Sequence, residues 1–329
     1  MKTPQRLLFL TALLCLCLLS LVAALALGSF NIPLEQVLSV LGGKSPGLAG
    51  DVILELRLPR ALSALVVGAE LGLAGCLMQV LLRNPLADPY VLGVSGGASV
   101  GALLAMSAGL GSWAMSGSAL LGALVNLLLV FGLARGRGSW SPTRLLLTGV
   151  VCASGWGAMI SFLLATSEDS SLRGMLFWLM GDLSHAGMPG WELPLLGIAL
   201  ALAWILARPL NLMLRGEQQA LALGVPIYPL QLLLYLLASV LTAAAVTRAG
   251  SIGFLGLVVP HILRLVAGSD HRLLLPASAL AGGALLLLAD TLARTLLAPQ
   301  QLPVGVVTAL LGVPLFLLVL HRSTRGGAL

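Results

Sequence analysis

Mostly uncharged apolar runs, most of them near twenty residues, recur along the whole chain, and a run of that length lets a helix cross roughly 30 Å of hydrocarbon. They fall at 7–27, 61–81, 92–108, 115–134, 145–166, 193–207, 230–248, 255–268, 274–297 and 304–321. Only 9% of the 329 residues are charged and 58% are hydrophobic. An ordinary soluble domain carries roughly 25% charged residues, so this chain could not cover a soluble surface. A cytosolic enzyme, a nucleic-acid binder and a disordered chain are therefore excluded. A β-barrel is excluded too, because its strands alternate apolar and polar residues. The fold class read from this pattern is all-α integral membrane, with about ten transmembrane helices in one domain over 1–329. No linker or low-complexity stretch interrupts it.

The first run follows Lys2 and Arg6 and exceeds the 7–15 residues of a signal-peptide core, so it reads as a retained span despite Ala24-Leu25-Ala26. The third and eighth runs are short and bounded by Gly, Pro and Asn. Short helices survive in a membrane only where protein or a watery cavity satisfies their free backbone groups, so both are expected to border something functional. With the N-terminus in the cytoplasm, twelve Lys and Arg lie inside and six outside. That bias places both termini in the cytoplasm, and the net charge of +6 needs no nucleic-acid partner. Cys15, Cys17, Cys76 and Cys152 lack metal-site spacing and read as small packing residues.

Six segments interrupt the apolar pattern. Arg57-Leu58-Pro59-Arg60 puts two arginines on one face at the outer mouth of the second span, suited to interfacial anchoring or to an acidic partner. Gly68, Gly72 and Gly75 permit close helix contact, with Glu70 among them at a cost of about 2.5–3.5 kcal/mol unless it faces protein or water. Pro85 and Pro89 make the cytoplasmic turn after Arg83-Asn84 stiff. The segment 214–226 reads as a short amphipathic helix closed by Gly224 and Pro226, lying on the membrane or fitting a partner's groove. Gly250, Gly253 and Gly256 precede Pro260-His261, where the imidazole serves as a hydrogen-bonded structural group or as a proton carrier. Asp290 and Arg294 stand at i and i+4, the spacing of a helical ion pair.

Taken together, 57–98, 216–224, 250–264 and 270–312 resemble the permease subunits of ABC importers for iron–siderophore complexes, haem and cobalamin, the type II importers. The resemblance implies ten-helix subunits that pair as a dimer, here expected to be a homodimer, in the bacterial inner membrane. It also implies two ATP-binding subunits and a periplasmic substrate-binding protein as partners. ATP and Mg would sit on the partner ATPase, since this chain has no P-loop G-x-x-x-x-G-K-[ST], and it is not itself an enzyme. By position, Arg57, Arg60 and Arg294 match outer-face arginines that receive the binding protein. Arg215, Gly216, Glu217, Ala220, Leu223 and Gly224 match a coupling helix between spans six and seven. Asn84 and Leu86, with Ser141, Pro142 and Thr143, match the cytoplasmic gate, and the fifth and tenth spans line the pathway at the dimer axis. Pro142 departs from the small polar residue of the cobalamin branch, and Arg215 stands where an apolar residue is frequent.

An ion-coupled secondary transporter would need a mid-membrane carboxylate, for which Glu70 and Asp290 are the acidic candidates. An intramembrane enzyme would need a nucleophile–base pair or a metal motif, and His261 has no partner by spacing. With no HExxH and no Cys/His cluster, no tight metal site is expected. Ferric siderophore or haem is the expected cargo, with cobalamin next. The segment 172–181 is expected to be a helix at the outer mouth, either lining the path or packing against neighbours.

Overall fold

The computed structural model describes residues 3–44, 47–134 and 141–325; Lys2, Arg135 and Arg137 of the charge count lie outside them. Among the described residues the chain is helical, without strands. The helices are α1 (Thr3–Ala26), α2 (Leu34–Leu41), α3 (Gly47–Asp51), α4 (Leu58–Leu81), α5 (Val94–Ser107), α6 (Ser112–Ala134), α7 (Pro142–Thr166) and α8 (Asp169–Leu179). They continue with α9 (Glu192–Ile205), α10 (Ala207–Met213), α11 (Glu217–Ala222), α12 (Ile227–Ala249), α13 (Leu255–Ala267), α14 (His271–Thr295) and α15 (Val304–Arg325).

Six helical stretches are long and apolar enough to cross a membrane, and α9 with α10 makes a further bent pair. Val94–Ser107, Leu255–Ala267 and Val304–Leu318 are shorter apolar helices. Two boundaries differ from expectation for reasons rooted in proline. The sixth run does not stop at 207: the chain bends by 59° after Ile205 and continues as α10. Pro209 explains the bend, because its ring clashes with the carbonyl four residues back, at Ile205. The segment before α4, expected as part of an outer loop, is helical from Gly47 onward. Pro59 would clash with the Glu55 carbonyl in the same way. The π-helical stretch Val52–Arg57 widens the turn there, so the helix passes through instead of breaking.

Helix α4 is the hub, packed against α12, α13 and α14. Along its length Gly68 faces the Gly282 carbonyl, Gly72 the Ser278 carbonyl and Gly75 the Gly256 carbonyl, each so near that a Cβ would overlap the oxygen. Lipid tails give no hydrophobic reason for helices to associate, so contact of this kind, through dispersion, does the work. A second pair repeats the device: Gly97 of α5 and Gly122 of α6 abut backbone to backbone. Asn126 bolts that pair to its neighbours. Its Nδ2 donates to Leu92 O at 2.8 Å, and its Oδ1 accepts from Trp156 Nε1 at 2.8 Å.

The two short helices start beside one another. The 3₁₀ turn Pro89–Leu92 precedes α5 and the segment 250–254 precedes α13. Ile252 N donates to Tyr90 Oη at 3.1 Å, and Pro89 lies against Gly256. Each irregular stretch thus satisfies or covers the other, as the bilayer interior requires.

At the end of the bundle that holds the start of α14, Asp270 joins three segments. It accepts from Arg6 Nη1 at 2.6 Å, Asn211 Nδ2 at 2.8 Å and Arg272 N at 3.1 Å. Burial raises its pKa, but these hydrogen bonds and the Arg6 charge outweigh that, so the carboxyl lies below its ordinary value.

Two predictions follow from this packing. Gly75→Ala should separate α4 from α13 and destabilise the purified protein by about 1–3 kcal/mol, read as a lower thermal midpoint in detergent. For Asp270, the folded pKa is depressed, so its stabilisation is full above the unfolded value of roughly 3.9 and fades as pH falls through the lower folded pKa. The thermal midpoint of Asp270→Asn should therefore lie below that of the parent at pH 7 and converge with it in acid.

Candidate functional site

At the end of the bundle formed by the start of α4 and the end of α14, two arginines flank one carboxylate and a third lies nearby. Arg60 donates from Nη2 to Asp290 Oδ1 at 2.8 Å and from Nε to both carboxylate oxygens at 3.0 Å. Arg294 Nε lies 3.1 Å from Asp290 Oδ2, close enough for attraction but without hydrogen-bond alignment. Arg60 Nη1 also donates to Gln301 Oε1 at 2.7 Å. Asp290 is completely buried, and a buried carboxylate persists as an ion only when paired in this way.

Arg57 does something different. Its guanidinium donates to Leu25 O at 2.7 Å, Ala26 O at 2.9 Å and Phe30 O at 2.6 Å, and it sits 5.0 Å from the Phe30 ring centroid. Arg294 Nη2 reaches Ala24 O at 3.3 Å. Together they satisfy the orphan carbonyls at the C-terminus of α1, where the helix dipole favours positive charge. The three arginines expected at the outer mouth thus lie together at one end of the bundle, each engaged within the chain. Arg57, Arg60 and Arg294 are 5, 6 and 7% exposed, because helix-end carbonyls and Asp290 already engage them within a single chain. Spacing alone suggested Asp290 with Arg294; the closer hydrogen-bonding partner, Arg60, is 230 residues away in sequence.

Glu70 is fully buried in α4 and faces protein, with neither carboxylate oxygen hydrogen-bonded among the described residues. His261 is buried with both ring nitrogens likewise unbonded, its ring 6.0 Å from that of Phe316. The described residues contain no cluster of three or more His, Cys, Asp or Glu able to hold a metal ion. Cys15, Cys17, Cys76 and Cys152 are all free thiols.

The opposite end carries the other expected residues. An open pocket of about 130 Å³ is lined by Leu82, Asn84, Leu86, Val91, Pro142 and Thr143, among others. Two stretches about 56 positions apart thus share one wall. Asn84 is held by its own turn, its Oδ1 accepting from Leu86 N at 2.9 Å. Ser141 caps α7, accepting from Arg144 N at 3.4 Å, and Pro142 sits at the first helical position, where a missing N–H costs nothing.

Helix α11 is one and a half turns long, opened by Gly216 at φ 113° and closed by Gly224 at φ 81°. Leu221 and Leu223 stand 54 and 64% exposed, whereas Ala220 is fully buried. The apolar face offered outward is thus Leu221 and Leu223, and Ala220 instead anchors the helix to the bundle. Arg215 is exposed. Glu217 forms an ion pair with Arg83. Two further residues that spacing missed are Glu192 and Arg248, paired at the mouth of α9 and α12; each needed a partner 56 residues distant to become meaningful. The segment 172–181 is helical up to Leu179 as part of α8, with Met175 buried.

Comparison with known proteins places this geometry. Residues 15–322 match the model of the FecCD transport family. An uncharacterized ABC transporter permease of Bacillus subtilis, YvrB, is 40% identical over 94% of this chain and 92% of its own length. The vitamin B12 import system permease BtuC of Salmonella typhi is 41% identical over 90% of this chain and 94% of its own. A solved chain described as the inward-facing conformation of a metal-chelate type ABC transporter superposes with a TM-score of 0.83 at 32% identity, covering 96% of this chain and 99% of that one. The chain belongs to the FecCD transport family and is a permease of an ABC importer.

Proposed function

We propose that this permease moves a metal chelate, a ferric siderophore or haem, from periplasm to cytoplasm as one of two identical transmembrane subunits. The chain is a multi-pass inner-membrane protein. In this reading its ten spans are the six long helices, the α9–α10 pair and the three shorter ones, and both termini are cytoplasmic. Two ATP-binding subunits hold ATP and Mg and seat on the exposed Leu221–Leu223 face of α11, with Arg215, Gly216, Glu217 and Gly224 around it. The observation that carries the reading is the convergence of Asn84, Leu86, Pro142 and Thr143 on one cavity at the end that also presents α11. A gate must lie where the ATPase can act on it.

The pathway runs at the axis between two copies, along α7 and α15. Helix α7 buries only Leu145, Gly149 and Leu163, and Leu310, Leu317 and Leu318 of α15 are exposed. Faces this apolar suit lipid or a second copy. A periplasmic binding protein docks at the Arg57, Arg60 and Arg294 end. Three guanidinium groups with one carboxylate make this cluster locally positive, so attraction for an acidic partner acts through its field more than through free side chains. One observation favours cobalamin as the alternative cargo: the relatives at 41% identity are named for vitamin B12 import.

Uptake, salt dependence and one substitution test this. In vesicles holding the permease, its ATPase and its binding protein, we expect ATP-driven uptake of ferric siderophore or haem. Uptake of cobalamin alone would move the cargo and keep the mechanism, and uptake on an ion gradient without ATPase would refute the reading. For the docking end, binding-protein-stimulated ATP hydrolysis should fall as salt shortens the screening length from about 10 Å at 0.1 M to 3 Å at 1 M. Asp290→Asn should lower stability by about 3–5 kcal/mol, since it strands two buried arginines, and this is read as a reduced thermal midpoint.

A further inference from the structure

Among the described residues four helix ends close with the same pair of backbone bonds, and one of them breaks the residue rule. At α2, α5 and α11 the left-handed residue after the helix is Gly43, Gly109 and Gly224, with the six-to-one and five-to-two hydrogen bonds of a Schellman motif in place. Helix α4 ends likewise. Asn84 N donates to Gln79 O at 3.1 Å and Arg83 N to Val80 O at 3.2 Å. Here, however, the left-handed residue is Arg83, at φ 49°. Glycine is preferred at this position because a Cβ is penalised there. A side chain has been kept where the backbone would favour none.

That side chain reaches Glu217, 134 residues away, the first residue of α11. Both partners are partly exposed, 36 and 37%, and an exposed ion pair contributes little to stability. Its place in the fold is more informative than its strength. Helix α11 otherwise packs on α10 and α12, its neighbours in sequence. Arg83 stands between Leu82 and Asn84, both of which line the cavity shared with Pro142 and Thr143. The turn is stiff: Pro85 restricts it, Asn84 Oδ1 accepts from Leu86 N, and Ala87 N donates to Asn84 O at 3.0 Å. A displacement of α11 applied at Arg83 therefore moves the cavity wall as one piece.

We propose that the Arg83–Glu217 ion pair is the intrachain link through which movement of α11 is transmitted to the cavity wall at Leu82, Asn84 and Leu86. This rests on the reading of α11 as the ATPase seat and of the cavity as the gate. Arg83 is a positioning residue, acting through the turn that carries it.

The test uses the full importer reconstituted in vesicles, with Thr143→Cys as a reporter in the cavity. Alkylation of that cysteine is read by mass spectrometry with and without ATP, alongside uptake. The parent is expected to change its alkylation rate several-fold with ATP. Arg83→Gly, which relieves the left-handed strain, should be at least as thermally stable as the parent and yet lose that change. Arg83→Glu and Glu217→Arg should each lose it, and the double exchange should restore it. Retention of the ATP-dependent change in Arg83→Gly would overturn the proposal, and so would a double exchange as unresponsive as the single variants. A parent without ATP-dependent alkylation or uptake would instead refute the importer reading, and the link would fall with it.

Discussion

Inside a bilayer no water is available to satisfy a backbone N–H or C=O, and most of this structure follows from that constraint. Regular helices satisfy themselves, so the difficulty concentrates where helices start, stop or bend. The C-terminus of α1 is resolved by Arg57 and Arg294, which donate to its last carbonyls. The irregular stretches before α5 and α13 meet each other through Tyr90 and Ile252. Such solutions need partners brought very near, and the glycines of α4 facing Gly282, Ser278 and Gly256 make that approach possible. The helix contact and the hidden irregular backbone are thus one design.

Charge obeys the same economy. Asp290 is tolerable in the interior because Arg60 and Arg294 flank it, and the arginines are tolerable because Asp290 and backbone oxygens receive them. The side chains of this Arg60–Asp290–Arg294 cluster serve the fold. At the opposite end the Arg6–Asp270 and Arg83–Glu217 pairs are partly exposed, and such pairs are weaker than buried ones. There the arrangement suits movement: α11 is short, bounded by left-handed glycines, and tied by a charged contact to a rigid turn. One end is locked by buried electrostatics, and the other is joined by contacts that can shift without unfolding the bundle.

The apolar runs foretold the helices well, including the two short ones, because hydrophobic length is a local property that lipid enforces segment by segment. Where boundaries moved, a proline acting over four residues was responsible: Pro209 broke the helix at Ile205, and Pro59 called up the π-helical stretch. The five- to eight-residue helices of the outer segment and the inward turn of Ala220 were not legible. Their periodicity is too short to show which face meets the bundle. The arginines were identified as a group by position, but their burial was not, since a guanidinium near a span end reads alike whether it faces solvent or a carbonyl.

By itself the sequence determined that this protein lies in a membrane as a helical bundle, where its helices run, and which stretches depart from plain apolar character. These are consequences of composition and local spacing, which each segment carries on its own. Only the tertiary structure decided that Asp290 joins Arg60 as well as Arg294, that Arg83 meets Glu217, and that Asn84 and Thr143 share a cavity. Those long-range pairings span 59 to 230 residues. A contact over such distances depends on which helix faces are pressed together, and no local pattern encodes that.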